Sequence, residues 1–353
     1  MPNPSKTQAA LPRLLLRTYK ASDHEQVDHM FYSTYFSLVP EGVKRKLMSP
    51  LFWILWIAFY SYLLAIVPVL LSGLNAPSWA SIALKVFLTF AWCVVSFAGV
   101  FVVTDRLEVV DKVEHVRQND LSDPEVYYLN WVKQEVEVTE EEQNDNGRKK
   151  RVTFDKDAKP AIELTRKQKP QDQQTPSHFW ILTLEGRPCG MVGLAHYSER
   201  ILSNRPTLPP AWKLMCVALL QRYRLPVPAS LQDLQAKMPR AVFAEPHEPK
   251  TATLQRLTVK TDCQGCGLAT LLIDRAMSWA HEKGLEHVEA VTNELEVQAE
   301  RILSGKHGFK LVSKQKKGWF GQYEKRWSCD VSEWMTAHQE AAKMYQKQKE
   351  ASS

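Results

Sequence analysis

The chain has 353 residues, and its 45 basic and 39 acidic side chains leave a formal charge of +6. That surplus is too mild for the basic footprint of a nucleic-acid-binding domain, so composition indicates no nucleic-acid partner. Six cysteines at this length do not make a disulfide scaffold and fit a reducing, cytosol-facing compartment.

Taken in chain order, Arg13 to Tyr19 is a Leu-rich run bounded by Pro12 and predicts a strand. Ser22-Asp23-His24-Glu25 then supplies a capping box for a helix toward Phe36. The apolar cluster Leu14 to Leu16 is too short for the core of a cleavable signal, and none is expected. Met48 to Leu84 carries no charged residue, and after Lys85 a second uncharged run extends from Val86 to Thr104. Turn-forming residues from Ser72 to Ser78 divide this block, residues 47–104, into two segments. Each approaches the roughly 20 apolar residues needed to cross a bilayer core of about 30 Å. A transmembrane hairpin is the expectation; buried core helices and a re-entrant hairpin are the other readings. Lys44, Arg45 and Lys46 precede the block, Arg106 and Lys112 follow it, and the turn holds no Lys or Arg. The positive-inside rule therefore places both flanks, and both termini, in the cytosol.

Beyond the hairpin, residues 105–138 read as helical, with Ser122-Asp123-Pro124-Glu125 opening a helix that runs through Trp131 to about Val136. Residues 139–177 are rich in Glu, Lys, Gln, Asp and Pro and read as a disordered charged insertion. Within it, Lys149 to Phe154 resembles the motif by which short peptides dock on protein phosphatase 1, through Val152 and Phe154. A basic import signal or plain solvated charge accounts for the same residues. The segment 178–329 opens with two strands, His178 to Leu184 and Cys189 to Tyr197, joined as a hairpin. A second insertion, 198–250, carries eight prolines around an amphipathic helix, Trp212 to Tyr223. That helix would cap a site, lie on the membrane or pack as a satellite. From Thr251 the order is β-α-β-α-β-β: strand Ala252 to Val259, helix Leu268 to Lys283, strand His287 to Thr292, helix Val297 to Leu303, then strands Lys310 to Lys314 and Trp319 to Trp327. Residues 330–353 form a Lys/Gln-rich tail, expected to be a helix with little core of its own. The ten histidines show no metal-ligand spacing, and no metal is expected.

The stretch that carries chemistry runs from Leu257, Thr258 and Val259 at a strand end, through Gln264, Gly265, Cys266 and Gly267, into Leu268, Ala269 and Thr270 at a helix start. Free N–H groups and the positive dipole end of that helix point at a loop whose glycines let an anion approach, which is a pyrophosphate-binding geometry. A plain helix start is the competing reading. So is thiol chemistry, because Cys263 and Cys266 form a Cys-x-x-Cys at a helix N-terminus.

Gln264-Gly265-Cys266-Gly267-Leu268-Ala269 resembles the Gln/Arg-x-x-Gly-x-Gly/Ala signature of the GNAT acetyltransferases, and Gly308-Phe309 matches a second family landmark. The resemblance covers Arg13 to Val136 and His178 to Trp327. It implies the α/β GNAT acyl-CoA N-acyltransferase fold, a mixed central sheet flanked by helices, here with an inserted transmembrane hairpin. It also implies acetyl-CoA as co-substrate, its pyrophosphate on residues 264–270 and its pantetheine arm along Leu257 to Val259. The layout of strand, helix, hydrophobic hairpin and catalytic core is similar to membrane-bound GNATs of the endoplasmic reticulum, which acetylate cysteine conjugates, aspartate or protein lysines. Leu16 to Asp23 and Gly190 to Gly193 resemble their first and third strands. The implied activity is N-acetyl transfer to a primary amine, with a tyrosine as the family's usual acid. Here Leu303 and Ser304 occupy the candidate positions, leaving Ser304 as a hydroxyl donor and Glu294, past the fifth strand, as a candidate base. Loss of that tyrosine keeps a second reading open, a non-catalytic coenzyme A-binding membrane protein.

Overall fold

The computed structural model describes residues 13–72, 77–137, 162–205, 211–228, 231, 240–317 and 320–340. The phosphatase-type motif at Val152 and Phe154 and the residues 73–76 lie outside them. In chain order the elements are strand β1 (Leu14–Thr18) and helices α1 (His24–Phe36), α2 (Val39–Leu47), α3 (Pro50–Leu71), α4 (Ser78–Val102), α5 (Val110–Arg117) and α6 (Pro124–Tyr128). Strands β2 (Trp131–Glu137), β3 (Ile162–Gln168), β4 (His178–Leu184), β5 (Arg187–Ala195) and β6 (Ile201–Leu202) follow, then helix α7 (Ala211–Arg222) and strand β7 (Val242–Ala244). The last part holds β8 (Thr251–Val259), α8 (Leu268–Glu282), β9 (His287–Asn293), α9 (Val297–His307), β10 (Lys310–Lys316), β11 (Tyr323–Asp330) and a helix α10 at 331–340.

Seven strands form one mixed sheet in the order β1-β4-β5-β8-β9-β11-β10, with β8 and β9 its parallel pair. Alternation along the strands sends side chains to two cores. On one face Trp180 and Leu182 meet Leu272, Ile273, Ala276 and Met277 of α8, whose i, i+4 spacing turns one apolar stripe to the sheet. On the other, Phe179, Ile181 and Met191 meet Val27, Met30 and Phe31 of α1, Val113 and Val116 of α5, and Tyr128.

α3 and α4 behave differently. Both are long and apolar enough to cross a membrane, yet among the described residues Val67 is the one buried in α3 and α4 has none. Their apolar side chains point outward, as in Ile54, Phe59, Phe87 and Phe90. Polar bonds link the pair along its length, from Trp56 to the Ser96 hydroxyl (2.8 Å) and between Tyr60 and Thr89 (2.9 Å). α4 continues through a π-helical stretch, Val103–Val109, into α5, so one unbroken rod joins the apolar hairpin to the sheet domain.

Three expectations require correction. The helix from Pro124 stops at Tyr128 instead of reaching Val136, and residues 131–137 are a strand paired with β3. Asn130 is the reason. It sits at φ +59, outside the helical region, and its side chain takes the Thr175 N–H (2.9 Å) while donating to the Thr175 carbonyl (3.0 Å), which closes the base of the β2–β3 hairpin. The insertion 139–177 is therefore structured over its last part, because composition gives no sign of a pairing partner supplied from before it. Finally, Asp23 rather than Ser22 organises the start of α1, accepting the Lys20 N–H (3.0 Å) and a two-point ion pair from Arg17. That pair holds the Asp23 carboxyl below its ordinary range.

Candidate active site

The site begins with an irregularity in β8. Met191 pairs with Thr258 and Gly193 with Gln255, so β8 carries one extra residue against β5. Arg256 sits in that bulge at φ +55, a conformation an arginine adopts only when its surroundings hold it there. The hold is ionic. Its guanidinium donates to both oxygens of the fully buried Asp120, at 2.6 and 3.0 Å, and Tyr128 donates to the same carboxylate. Burial works against the Arg256 charge, but Asp120 outweighs it and keeps the guanidinium protonated.

The bulge redirects the strand. Pairing of β8 with β9 ends at Leu254 opposite Ala290, although β8 continues to Val259 and β9 to Asn293. Past that point β9 pairs with β11 alone, and the β9-facing edge of β8 meets no strand among the described residues. The parted strands leave backbone N–H and C=O groups on one wall of a V-shaped cleft.

At the end of β8 the chain turns into α8. Gly265 and Gly267 both lie at positive φ, +82 and +79, and Gly267 caps α8 with no side-chain bond to the first turn. A Cβ at either glycine would meet nothing within 4 Å, so the backbone angle rather than crowding requires glycine there. The Gln264 amide donates to the Val259 carbonyl (3.0 Å), fixing the loop to the strand end. The first-turn N–H groups of α8, on residues 268–270, face the cleft without a side-chain cap. These features fit a pyrophosphate with an extended arm running back along β8.

The cleft has a volume of about 1620 Å³, above the roughly 300–1,000 Å³ typical of small-molecule pockets and enough for a large co-substrate beside an acceptor. Its walls include Leu257, Thr258, Val259, Gln264, Gly265, Gly267, Leu268, Ala269 and Thr270, so nine of the ten residues anticipated for the coenzyme line it. Cys266 is exposed and stands outside that lining.

The two anticipated acid–base residues fare differently. Glu294 lines the cleft, but it is buried and accepts from Lys112 (3.1 Å) rather than lying in solvent. Ser304 does not line the cleft: it is exposed on α9, and its hydroxyl donates to the Glu300 carbonyl one turn back (2.8 Å).

Other residues reach the cleft from elements where sequence drew no attention. Tyr35 of α1 donates to Glu296 at the start of α9. Burial, followed by that carboxylate, raises the Tyr35 phenol well above its ordinary value and keeps the proton on it. Burial likewise raises Glu296. Lys46 is buried between Glu108 (2.7 Å) and the Thr104 hydroxyl (2.8 Å), and Gln322 donates to Glu108 (2.6 Å).

His115 of α5 faces the cleft near Phe243, ring centroids 5.5 Å apart, and its imidazole has no hydrogen-bond partner among the described residues. Burial, then Arg256 and Arg205, lowers its pKa against the weaker opposing pull of Asp111 and Asp120, so the ring is neutral at pH 7. Of all these, Arg256 alone left a trace in the sequence, as the one charged residue of its strand.

Residues 235–309 match the model of the Acetyltransferase (GNAT) family. The chain carries a GNAT-family acetyltransferase domain, and its mixed sheet flanked by helices is the GNAT fold. No curated protein matches the sequence. Among solved structures, a GNAT-family acetyltransferase from Staphylococcus aureus Mu50 aligns over 90% of this chain and 99% of its own, at 8% identity and TM-score 0.36. The ribosomal-protein-S18-alanine N-acetyltransferase of Escherichia coli aligns over 45% and 72%, at 11% identity and TM-score 0.28. An IAA acetyltransferase from Bacillus cereus ATCC 14579 aligns over 44% and 78%, at 15% identity and TM-score 0.26. Likenesses this loose add nothing about substrate.

Proposed function

We propose that the chain is a membrane-anchored N-acetyltransferase that moves an acetyl group from acetyl-CoA to a primary amine. One observation carries the reading: the unpaired edge of β8 leads directly into a positive-φ glycine loop at an uncapped helix N-terminus, all lining one cleft. When bound, acetyl-CoA supplies an activated thioester. The protein's part is to bind and orient. N–H groups of residues 265–270 take the pyrophosphate charge, and the backbone of Leu257 to Val259 aligns the arm as an added strand would. Lys112 pairs with Glu294 in the cleft wall (3.1 Å), where the carboxylate attracts and orients an incoming ammonium. His115, neutral and without a hydrogen-bond partner among the described residues, takes the proton that makes the amine nucleophilic. The apolar hairpin anchors this domain in a bilayer.

The test is acetyl-CoA binding by calorimetry on detergent-solubilised protein, wild type against Gly265→Glu. Micromolar binding lost in the variant is the expected result, because a carboxylate and a strained φ would then occupy the anion loop. Absence of binding by wild type would overturn the reading. Binding with no transfer to any amine would instead leave a coenzyme A-binding interaction protein, the reading favoured by Leu303 and Ser304 at the candidate positions of the family's tyrosine.

A further inference from the structure

The cleft does not end at the charged groups. Its far wall is the root of the hairpin: Phe52 from the first turn of α3, Gly99 and Val100 from the last turn of α4, and Val103 from the π-helical stretch. Gly99 and Val103 are four residues apart on one helical rod and so share a face. Both line the cleft, and both are exposed, Val103 by 43%. A Cβ built at Gly99 meets nothing within 4 Å. The apolar surface of α4 thus reaches the cavity wall at Gly99, Val100 and Val103, and Gly99 sets no side chain there. The Lys46–Glu108 and Lys112–Glu294 pairs line the same cleft.

We infer that the acceptor is an amphiphile, a primary amine on a hydrocarbon chain, which enters laterally from the bilayer with its chain against Phe52, Gly99 and Val103. The inference rests on the acetyltransferase reading and narrows its acceptor. An apolar arm opening at the level of a membrane-inserted hairpin gives an extended chain a place that water would not hold favourably. The paired charges of the same cleft suit the amine end, which must arrive beside Glu294 and His115. A soluble amino acid or a surface lysine would leave the arm unfilled.

The experiment uses the full-length protein in phosphatidylcholine vesicles, with n-butylamine and n-dodecylamine as acceptors. Burial of the added methylenes should favour dodecylamine in kcat/KM by at least ~10-fold. Gly99→Phe, which fills the arm, should reduce that dodecyl-to-butyl preference by at least ~10-fold in the same vesicles, where partitioning of each amine is unchanged. Replacing a mid-helix glycine in open space favours the helix, and acetyl-CoA binding by calorimetry reports that the variant is folded. As an independent readout, a diazirine-bearing dodecylamine should label peptides spanning Gly99 and Val103. Acetyl-CoA binding and butylamine transfer without a chain-length preference, or a preference untouched by Gly99→Phe with no labelling there, would overturn the amphiphile and leave the transferase. Failure of wild type to bind acetyl-CoA would overturn both.

Discussion

At the scale of single residues, the candidate acid–base groups sort by whether their hydrogen-bonding capacity is already committed. Ser304 spends its hydroxyl on its own helix, and Glu294 is held by Lys112 and approached by the Tyr323 N–H at 3.4 Å. His115 alone in this set offers an imidazole without a partner in the cleft wall. Replacing it, as in His115→Gln, is expected to lower kcat about 100-fold, within the range for loss of a positioned proton acceptor, with acetyl-CoA affinity retained. The pH profile separates this from a structural role. His115 must be neutral to act, and burial with Arg256 and Arg205 places its folded pKa below the ordinary histidine value. Wild-type activity should therefore persist below about pH 6.5 and fall only as pH drops through that lowered value, whereas the variant should lack this acid limb. Equal loss of kcat and coenzyme affinity, with an unchanged profile, would remove His115 from the chemistry. Sequence gave no warning of it: a histidine in the run from Val110 to Arg117 reads as ordinary helix surface until Phe243 and Arg256 arrive from more than a hundred residues away.

At the scale of elements, legibility followed the strength of the local pattern. The helix from Leu268 and the strands from His178, Thr251 and His287 have clear apolar periodicity, and their expected bounds agree with the observed ones to within a few residues. The short helix α2, with Pro40 in its first turn, and the β2–β3 hairpin depend on partners that periodicity does not display. The bulge at Arg256 is the most consequential of the hidden features, because the parting of β8 from β9 follows from it. Its strained φ is held by Asp120, a residue at 0% exposure on a different element. Removing that anchor by Asp120→Ala should cost about 3–5 kcal/mol, the penalty of leaving a buried guanidinium unpaired. Denaturant titration of the purified protein would read the loss directly. In variant protein still folded at low temperature, acetyl-CoA binding should weaken as well, since the strand no longer has a reason to diverge. A loss below about 1 kcal/mol, the scale of an exposed pair, would mean that the bulge is held by packing against β5 instead.

At the scale of the whole molecule, the sheet constrains the hairpin more tightly than hydropathy does. Strand β1, before the hairpin, pairs with β4 after it through Leu14 opposite Leu184 and Thr18 opposite Trp180. Both flanks of the apolar block must consequently lie on one side of any bilayer, which two crossings permit and one would forbid. The charge distribution gives the same answer independently, with Lys44, Arg45 and Lys46 on one flank and Arg106 and Lys112 on the other. The continuous rod from Ser78 through the π-helical stretch to Arg117 ties the hairpin to the cleft wall, so the proposed anchoring would set Gly99 and Val103 near the bilayer surface. Labelling with a membrane-impermeant maleimide checks this arrangement in sealed right-side-defined vesicles. Cys266, exposed in the glycine loop, should react from the side that faces the cytosol. A cysteine introduced by Ser72→Cys at the far end of α3 should react only from the opposite side. Reaction of both from one side would mean a hairpin that enters and leaves the same leaflet. The apolar surfaces of α3 and α4 would then lie along the interface rather than across it, and the acceptor's chain would reach the cleft from the headgroup layer.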